Sequence, residues 1–371
     1  MNEGLLSGLD LIRFWPNFVM FAIGGLLIWL AIRKDYEPML LLPMGFGAIL
    51  ANIPFSAVIN VDEHGFLSLL YNAGIITELF PILIFVAVGA MIDFTPLLRQ
   101  PVMLLFGAAA QLGIFLTMMV AARFGFSLKE AASIGIIGAA DGPTSIFVAA
   151  RFARHFLGPI SVAAYSYMAL VPIIQPPVIR ALTTSAERRV RMDIAEGAPV
   201  SKTVRILFPI ILTVLAGIVA PISVGLVGSL MFGNLLRECG VTERLAKSAQ
   251  NELADLVTLL LGITIGATMV AERFLTASTI AILAMGLVAF VIDTAGGVLF
   301  AKFLNLFLKR KINPMIGACG ISAFPMSARV VHKLGLKEDP NNFLIMPAIG
   351  ANVAGQIASI VAGGLVLALV H

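Results

Sequence analysis

The chain has 371 residues, 59% of them hydrophobic and 12% charged, with a formal net charge of +4 and two cysteines. A water-soluble domain cannot bury that share of apolar surface, so a soluble fold is excluded. The basic residues gather at the ends of apolar windows, where they set orientation in a bilayer and give no basis for nucleic-acid binding, while Cys239 and Cys319 lack metal-ligand spacing and exclude a disulfide framework.

The first seventeen residues, MNEGLLSGLDLIRFWPN, are acidic and interrupted by Pro16. They lack the basic leader and small-residue cleavage site of a signal peptide, so the apolar window 17–32 is expected to remain as a span. Windows at 101–121, 206–222 and 275–292 follow. Each is long enough to cross roughly 30 Å of hydrocarbon as a helix. The expected fold is an all-α polytopic membrane protein with about nine to eleven membrane segments.

Charge sets the sidedness. The connector 183–205, with Arg188, Arg189, Arg191, Lys202 and Arg205, is the most basic and belongs in the cytoplasm. Arg33 and Lys34 after the first span and Arg99 put 33–37 and 96–100 on the same side, and the acidic stretch 56–75, with Asp62 and Glu63, on the other. After the span at 101–122 the chain is outside, and by 183 it is inside, yet two apolar stretches, 129–151 and 158–182, intervene. One of them has to enter and leave without crossing. The stretch 129–151 holds Asp141, Gly142 and Pro143 near its middle, and irregular backbone at membrane depth survives only where it lines protein or a cavity. It is expected to be a re-entrant or broken helix.

The chain also matches itself. ELFPILIFVAVGAMIDFTPLL (78–98) aligns with ELADLVTLLLGITIGATMVAERFL (252–275), pairing Gly89-Ala90 with Gly266-Ala267. Onward from these anchors Gly138 pairs with Gly317 and Arg151 with Arg329, and PIIQPP (172–177) pairs with PAIGANVAG (347–355) as two further broken stretches carrying Gln175 and Asn352. The halves are then 1–182 and 206–371, joined by the connector 183–205. Interrupted spans at matching places in two halves point to a transporter-type site at the repeat interface.

An ionisable residue in hydrocarbon marks an ion or proton path by default, and Asp141 is the leading candidate. Gly142 and Pro143 should stop the helix and free carbonyl oxygens, Thr144 and Ser145 add hydroxyls, and the second half supplies Asn313, Ser322 and Asn352. One carboxylate with neutral oxygens suits a small hard monovalent cation or a proton, since divalent sites gather more carboxylates and soft metals want Cys or His. Tyr165 and Tyr167 follow the motif and are either interface anchors or proton relays. Arg329 either snorkels to the interface or attracts an anion, and Asp293 is a second buried acid with a structural role favoured.

GIIGAADGPTSIFVAARF (135–152), NPMIGACGISAFPMSARV (313–330) and NFLIMPAIGANVAGQIAS (342–359) resemble the β subunit of the sodium-translocating biotin-dependent decarboxylases, from YEPMLLLPMGFGAIL (36–50) to the C-terminus. The resemblance implies two inverted repeats with broken helices at the midplane. It implies a multi-pass subunit of the cell membrane that decarboxylates carboxybiotin, exports Na+ and consumes a proton from outside. Carboxybiotin would come from a separate biotin carrier subunit, loaded by a carboxyltransferase α subunit, with a small single-span membrane subunit joining the parts; a homo-oligomer is compatible. At matched positions Asp141 becomes the alternating Na+/H+ acid with Gly142 and Thr144 beside it, and Tyr167 a proton-path residue. Asn313, Gly317, Ser322 and Asn352 become the second-half Na+ site, with Ser322 beside the ion and Arg329 facing the carboxybiotin anion. The competing reading is a Na+-coupled secondary transporter of an organic anion, because interrupted repeats serve both.

Overall fold

The computed structural model describes residues 14–59, 65–192 and 199–370. The leader reading of residues 1–13, the Asp62–Glu63 pair and residues 193–198 of the connector lie outside the described residues. Every regular element among the described residues is a helix. Phe14–Lys34, Pro101–Arg123, Arg154–Leu182, Ala277–Phe307 and Ile345–Leu369 are long and apolar enough to cross a bilayer, and Phe66–Ile76 with Leu79–Met91, bent by 62°, forms a sixth if it is one span. Pro38–Ala51, Lys202–Val219, Val224–Glu238 and Ala254–Ala267 are shorter apolar helices. Large apolar side chains such as Trp29, Phe46, Leu259 and Phe303 stay exposed on the outer surface, as a lipid-facing wall requires.

Two helix crossings rest on glycine. Gly89 abuts the Leu230 carbonyl and Gly233 the Val86 carbonyl, so Leu79–Met91 packs on Val224–Glu238. Gly266 abuts the Met44 carbonyl and Gly47 the Ile263 carbonyl, so Ala254–Ala267 packs on Pro38–Ala51. A Cβ at any of the four would overlap a neighbouring backbone, the close approach that small residues permit between membrane helices. A π-helical turn precedes each of the matched helices, at Tyr71–Ile76 and Ala249–Leu253.

Behind these crossings stand two interrupted helix pairs. In the first, a capping box of Ser127 and Glu130 opens the helix Leu128–Gly135, a 3-10 turn spans Ile136–Ala139, and Gly142–Phe152 continues beyond the break. The break falls at Ala140, in the left-handed region at φ 52°, and at Asp141. Gly142 and Pro143, expected from sequence to stop a helix, start one instead, because the missing N–H of proline is free of penalty in a first turn. In the second pair Asn313 caps the 3-10 run Pro314–Gly320, an extended stretch follows, and Met326–Glu338 is helical. The tips of the two pairs meet directly: the Ser322 N–H donates to the Ala139 carbonyl at 2.9 Å.

Each pair begins and ends on one face of the bundle. Glu130, in the first turn of its pair, meets His155, just past its end, at 2.8 Å. Asn313, before the second pair, donates to the carbonyls of Arg188 and Val190 at 2.9 and 2.8 Å. Glu338 and Asp339, at its end, pair with Arg188 and Arg191 at 2.7 and 2.6 Å. The two pairs thus reach the middle from opposite faces, and the second hangs from the basic connector. The Arg188 bond holds the Glu338 carboxyl below the usual range, and the Arg191 bond does the same for Asp339. A carboxyl depressed in the folded state stabilises above its unfolded pKa of about 4 and loses that contribution as pH falls through the folded value. Glu338→Gln should accordingly melt below the wild type at neutral pH, with the difference closing below about pH 3–4 in thermal scans.

Two further expectations change. The prolines 172, 176 and 177 lie inside a continuous helix, Leu157–Leu182, and Ile345–Leu369 is continuous as well, so neither stretch is broken; neighbouring helices and side chains re-satisfy backbone groups that proline frees. Glycines also seat the tips against neighbouring helices. Gly138 packs on Ala289 and Asp293 and Gly320 on Phe106 and Ala110, while Gly135 meets the Ile114 carbonyl and Gly317 the Gly297 carbonyl.

Candidate functional site

Asp141 is the N-cap of Gly142–Phe152, 4% exposed, and both its oxygens are engaged. The Thr144 N–H donates to Oδ1 at 3.2 Å, and the Ser359 hydroxyl donates to Oδ2 at 2.7 Å. Ala140 in the left-handed region turns the chain at the break, and the carboxylate meets Ile345–Leu369 through Ser359. Uncompensated burial of a carboxylate is costly, and two neutral donors with a helix N-terminus offset only part of the cost. The position is therefore suited to a cation or a proton as its missing partner.

Opposite stands Ser322. Its hydroxyl donates to the Gly355 carbonyl at 2.9 Å, and its own carbonyl accepts from Gln356. Asn352 steadies the same stretch by donating to the Ile321 carbonyl at 2.7 Å, leaving its buried Oδ1 without a partner among the described residues. Asp141, Ser322 and Gln356 open onto a cavity of about 290 Å³ that Glu37, Tyr165, Thr258 and Pro325 also line. The lining contains two carboxylates, Glu37 and Asp141, and no Lys, Arg or His. Among the described residues no three or more His, Cys, Asp or Glu side chains gather as a metal cluster.

The sequence candidates separate into two groups. Asp141, Gly142 and Ser322 line the cavity, with Thr144 and Asn352 directly behind them. Asn313 lies elsewhere: its Oδ1 accepts from the Met315 N–H and its amide holds the connector, so it is engaged as a cap and a tether. Gly317 is packed on Gly297, and Arg329 is exposed and outside the cavity lining. The Tyr167 hydroxyl is engaged with the Leu283 carbonyl, whereas the Tyr165 ring abuts Gly142 and lines the cavity. Asp293 is buried with Oδ1 on the Gly113 N–H and Oδ2 unpartnered among the described residues. Arg151 is paired with Glu78 across the bend at 78 and lies over the Phe147 ring.

Gln356 and Ser359 were missed by sequence reasoning. Asn352, Gln356 and Ser359 stand four and seven residues apart, one polar face on an otherwise apolar helix, and that spacing was the available signal. Removing the Ser359 donor tests its share: Ser359→Ala should lose a hydrogen bond to a charged group, about 1.5–3 kcal/mol, read as a roughly tenfold or greater rise in the concentration of monovalent cation that half-saturates the site.

A profile of the family described as "Na+-transporting oxaloacetate decarboxylase beta subunit" matches residues 16–370. The chain is 49% identical over 375 residues, 95% of this chain and 94% of the other, to the methylmalonyl-CoA decarboxylase subunit beta of Propionigenium modestum. It is 49% identical over 356 residues, 96% and 94% of the two chains, to the glutaconyl-CoA decarboxylase subunit beta of Acidaminococcus fermentans. To the oxaloacetate decarboxylase beta chain 2 of Salmonella typhi it is 45% identical over 425 residues, 98% of each.

Proposed function

This chain belongs to the family of the Na+-transporting oxaloacetate decarboxylase beta subunit, and from that premise we propose that it is the membrane subunit of a primary sodium pump, decarboxylating carboxybiotin and coupling that step to Na+ export with consumption of a proton. The observation that carries the reading is the Asp141 cavity, whose lining offers carboxylates, hydroxyls and amides and no basic side chain. Such a lining suits a monovalent cation. It does not suit the organic anion that the competing secondary-transporter reading requires.

Decarboxylation converts the carbamate of carboxybiotin and one proton into the neutral ureido N–H of biotin and CO2. A site that releases a proton when it takes Na+, and releases Na+ when it takes a proton, links that demand to ion movement. Asp141 is the exchanging acid, ionised with Na+ beside it and neutral with the proton. Ser359 and Thr144 orient its two oxygens, and Ser322 and Gln356 form the facing wall. Tyr165 is nearer the exchanging acid than Tyr167 and takes the proton-path role in this reading. Asn313 and Gly317 support the second tip from behind, and Arg329, exposed one turn beyond Pro325, is the available cation for the carboxybiotin carboxylate arriving from the cytoplasm.

The halves 1–182 and 206–371 are read as inverted repeats joined by the connector 183–205. Support comes from the reciprocal glycine crossings and from the tips that approach from opposite faces. The carboxyltransferase, the biotin carrier and the small single-span subunit are separate chains in this reading. Two assays test it together: purified protein should be retained on avidin through a biotinylated partner, and Na+ uptake into vesicles should require a decarboxylation substrate. Substrate-independent Na+ uptake coupled to an external organic anion would favour the secondary transporter.

A further inference from the structure

We infer that Glu37 is the cytoplasmic loading carboxylate of the pump, a positioning residue that draws Na+ into the cavity and hands it on to Asp141. The inference rests on the reading of Asp141 as the Na+ site and adds a second acid to it. Glu37 closes the link Asp35-Tyr36-Glu37 between the helices Trp15–Lys34 and Pro38–Ala51, three residues after Lys34 on the basic, cytoplasmic face. It lines the same cavity as Asp141. The lining also includes the helix ends Met91, Ile92 and Ala254, whereas Asp141 and Ser322 belong to the tips of the interrupted pairs. The cavity is therefore lined both from the basic, cytoplasmic link and from the tips, with one acid from each.

Three features separate Glu37 from an ordinary surface acid. It is half-buried, yet no described residue donates to its carboxylate, no cation pairs with it, and it makes no side-chain cap on the helix it precedes. Burial without a partner pushes its carboxyl above the usual range, the condition that an arriving cation relieves. Its backbone sits in the left-handed region at φ 38°, unfavourable for a residue with a Cβ, and the following Pro38 disfavours α-type ψ there as well. A turn alone would be better served by Asn or Gly. Much of the remaining lining is apolar, with Leu40, Ile84, Phe85, Val88 and Leu261, and a cation that desolvates in such a cavity needs fixed negative charge on its walls.

The test uses the whole complex in proteoliposomes, with decarboxylation and 22Na+ uptake followed against Na+ concentration. Glu37→Gln should raise the half-activating Na+ concentration about tenfold while the rate at saturating Na+ stays within about twofold. Glu37→Asn removes the charge in a residue that tolerates the left-handed conformation, so it gives the same reading should the Gln variant fail to assemble on avidin. Glu37→Asp should restore most of the wild-type Na+ response. An unchanged half-activating Na+ in the neutral variants overturns the inference, and so does a lower maximal rate with unchanged Na+ response, which marks a structural role. Asp141→Asn in parallel separates the two claims: if it keeps pumping, the Asp141 reading fails, whereas loss there with a wild-type response at position 37 removes Glu37 alone.

Discussion

Asp141→Asn abolishes Na+ transport and Na+-stimulated decarboxylation together while the complex still assembles. The variant keeps the shape of the side chain: asparagine is as good an N-cap as aspartate, and its carbonyl oxygen can accept from the Thr144 N–H or the Ser359 hydroxyl, so the turn at Ala140 and its junction with Ser322 survive. What is lost is the formal charge. Removing one partner from a buried ion pair costs about 3–5 kcal/mol, roughly two to four powers of ten in occupancy or rate, because the cation is left in a poorly solvated cavity without its countercharge. Parallel assays of 22Na+ uptake, CO2 release and avidin retention check it. Retained pumping, or loss of assembly alone, would remove Asp141 from the proposed role.

The second large effect concerns the scaffold and has a sign that distinguishes the structure from simple helix propensity. Gly→Ala inside a helix ordinarily stabilises by up to about 1 kcal/mol. Gly25→Ala and Gly225→Ala should follow that rule, because nothing stands within 4 Å of the added Cβ. Gly89→Ala and Gly266→Ala should do the reverse, since the new methyl falls on the carbonyls of Leu230 and Met44, which belong to other helices and cannot rotate away. Overpacking of this kind costs typically 1–3 kcal/mol and more where backbone is the obstacle. Melting of the detergent-solubilised protein reads the contrast. Equal melting of all four variants would show that the crossings are looser than described.

These predictions draw on features of unequal legibility. The membrane class follows from composition, and the non-crossing segment around Asp141 follows from charge parity, because both depend on sums over many residues. Gly89 and Gly266 could be paired from local similarity, and each abuts a backbone carbonyl of another helix, Leu230 and Met44. Finer placement depends on three dimensions. Pro143 signals a helix boundary without saying on which side, and the left-handed turn that decides it is held by an alanine, which carries no such preference in sequence. Asn313 and Asn352 are both amides near the second tip, but one is taken up by the connector and only the other backs the cavity, a distinction made by a contact across more than a hundred residues of chain. Tyr165 and Tyr167 differ only in which way a helix turns, and the glycine at 142 selects Tyr165.

Glu37 belongs to the same category. It is far from the motif in sequence and joins Asp141 only through the cavity that both line. On the proposed reading the two acids have different stations, Glu37 in the link that follows the basic Arg33-Lys34 and Asp141 at the junction of the interrupted helices.

The central claim is that Na+ and H+ exchange at one acid during decarboxylation. The most direct measurement follows both ions at once in proteoliposomes whose cytoplasmic face points outward, with 22Na+ counted in the lumen and a pH-sensitive dye trapped there. Adding the decarboxylation substrate should bring Na+ into the lumen and make it more alkaline, with the two signals rising together and both missing in Asp141→Asn. Sodium uptake with no change in lumenal pH, or with both signals intact in that variant, would contradict the account.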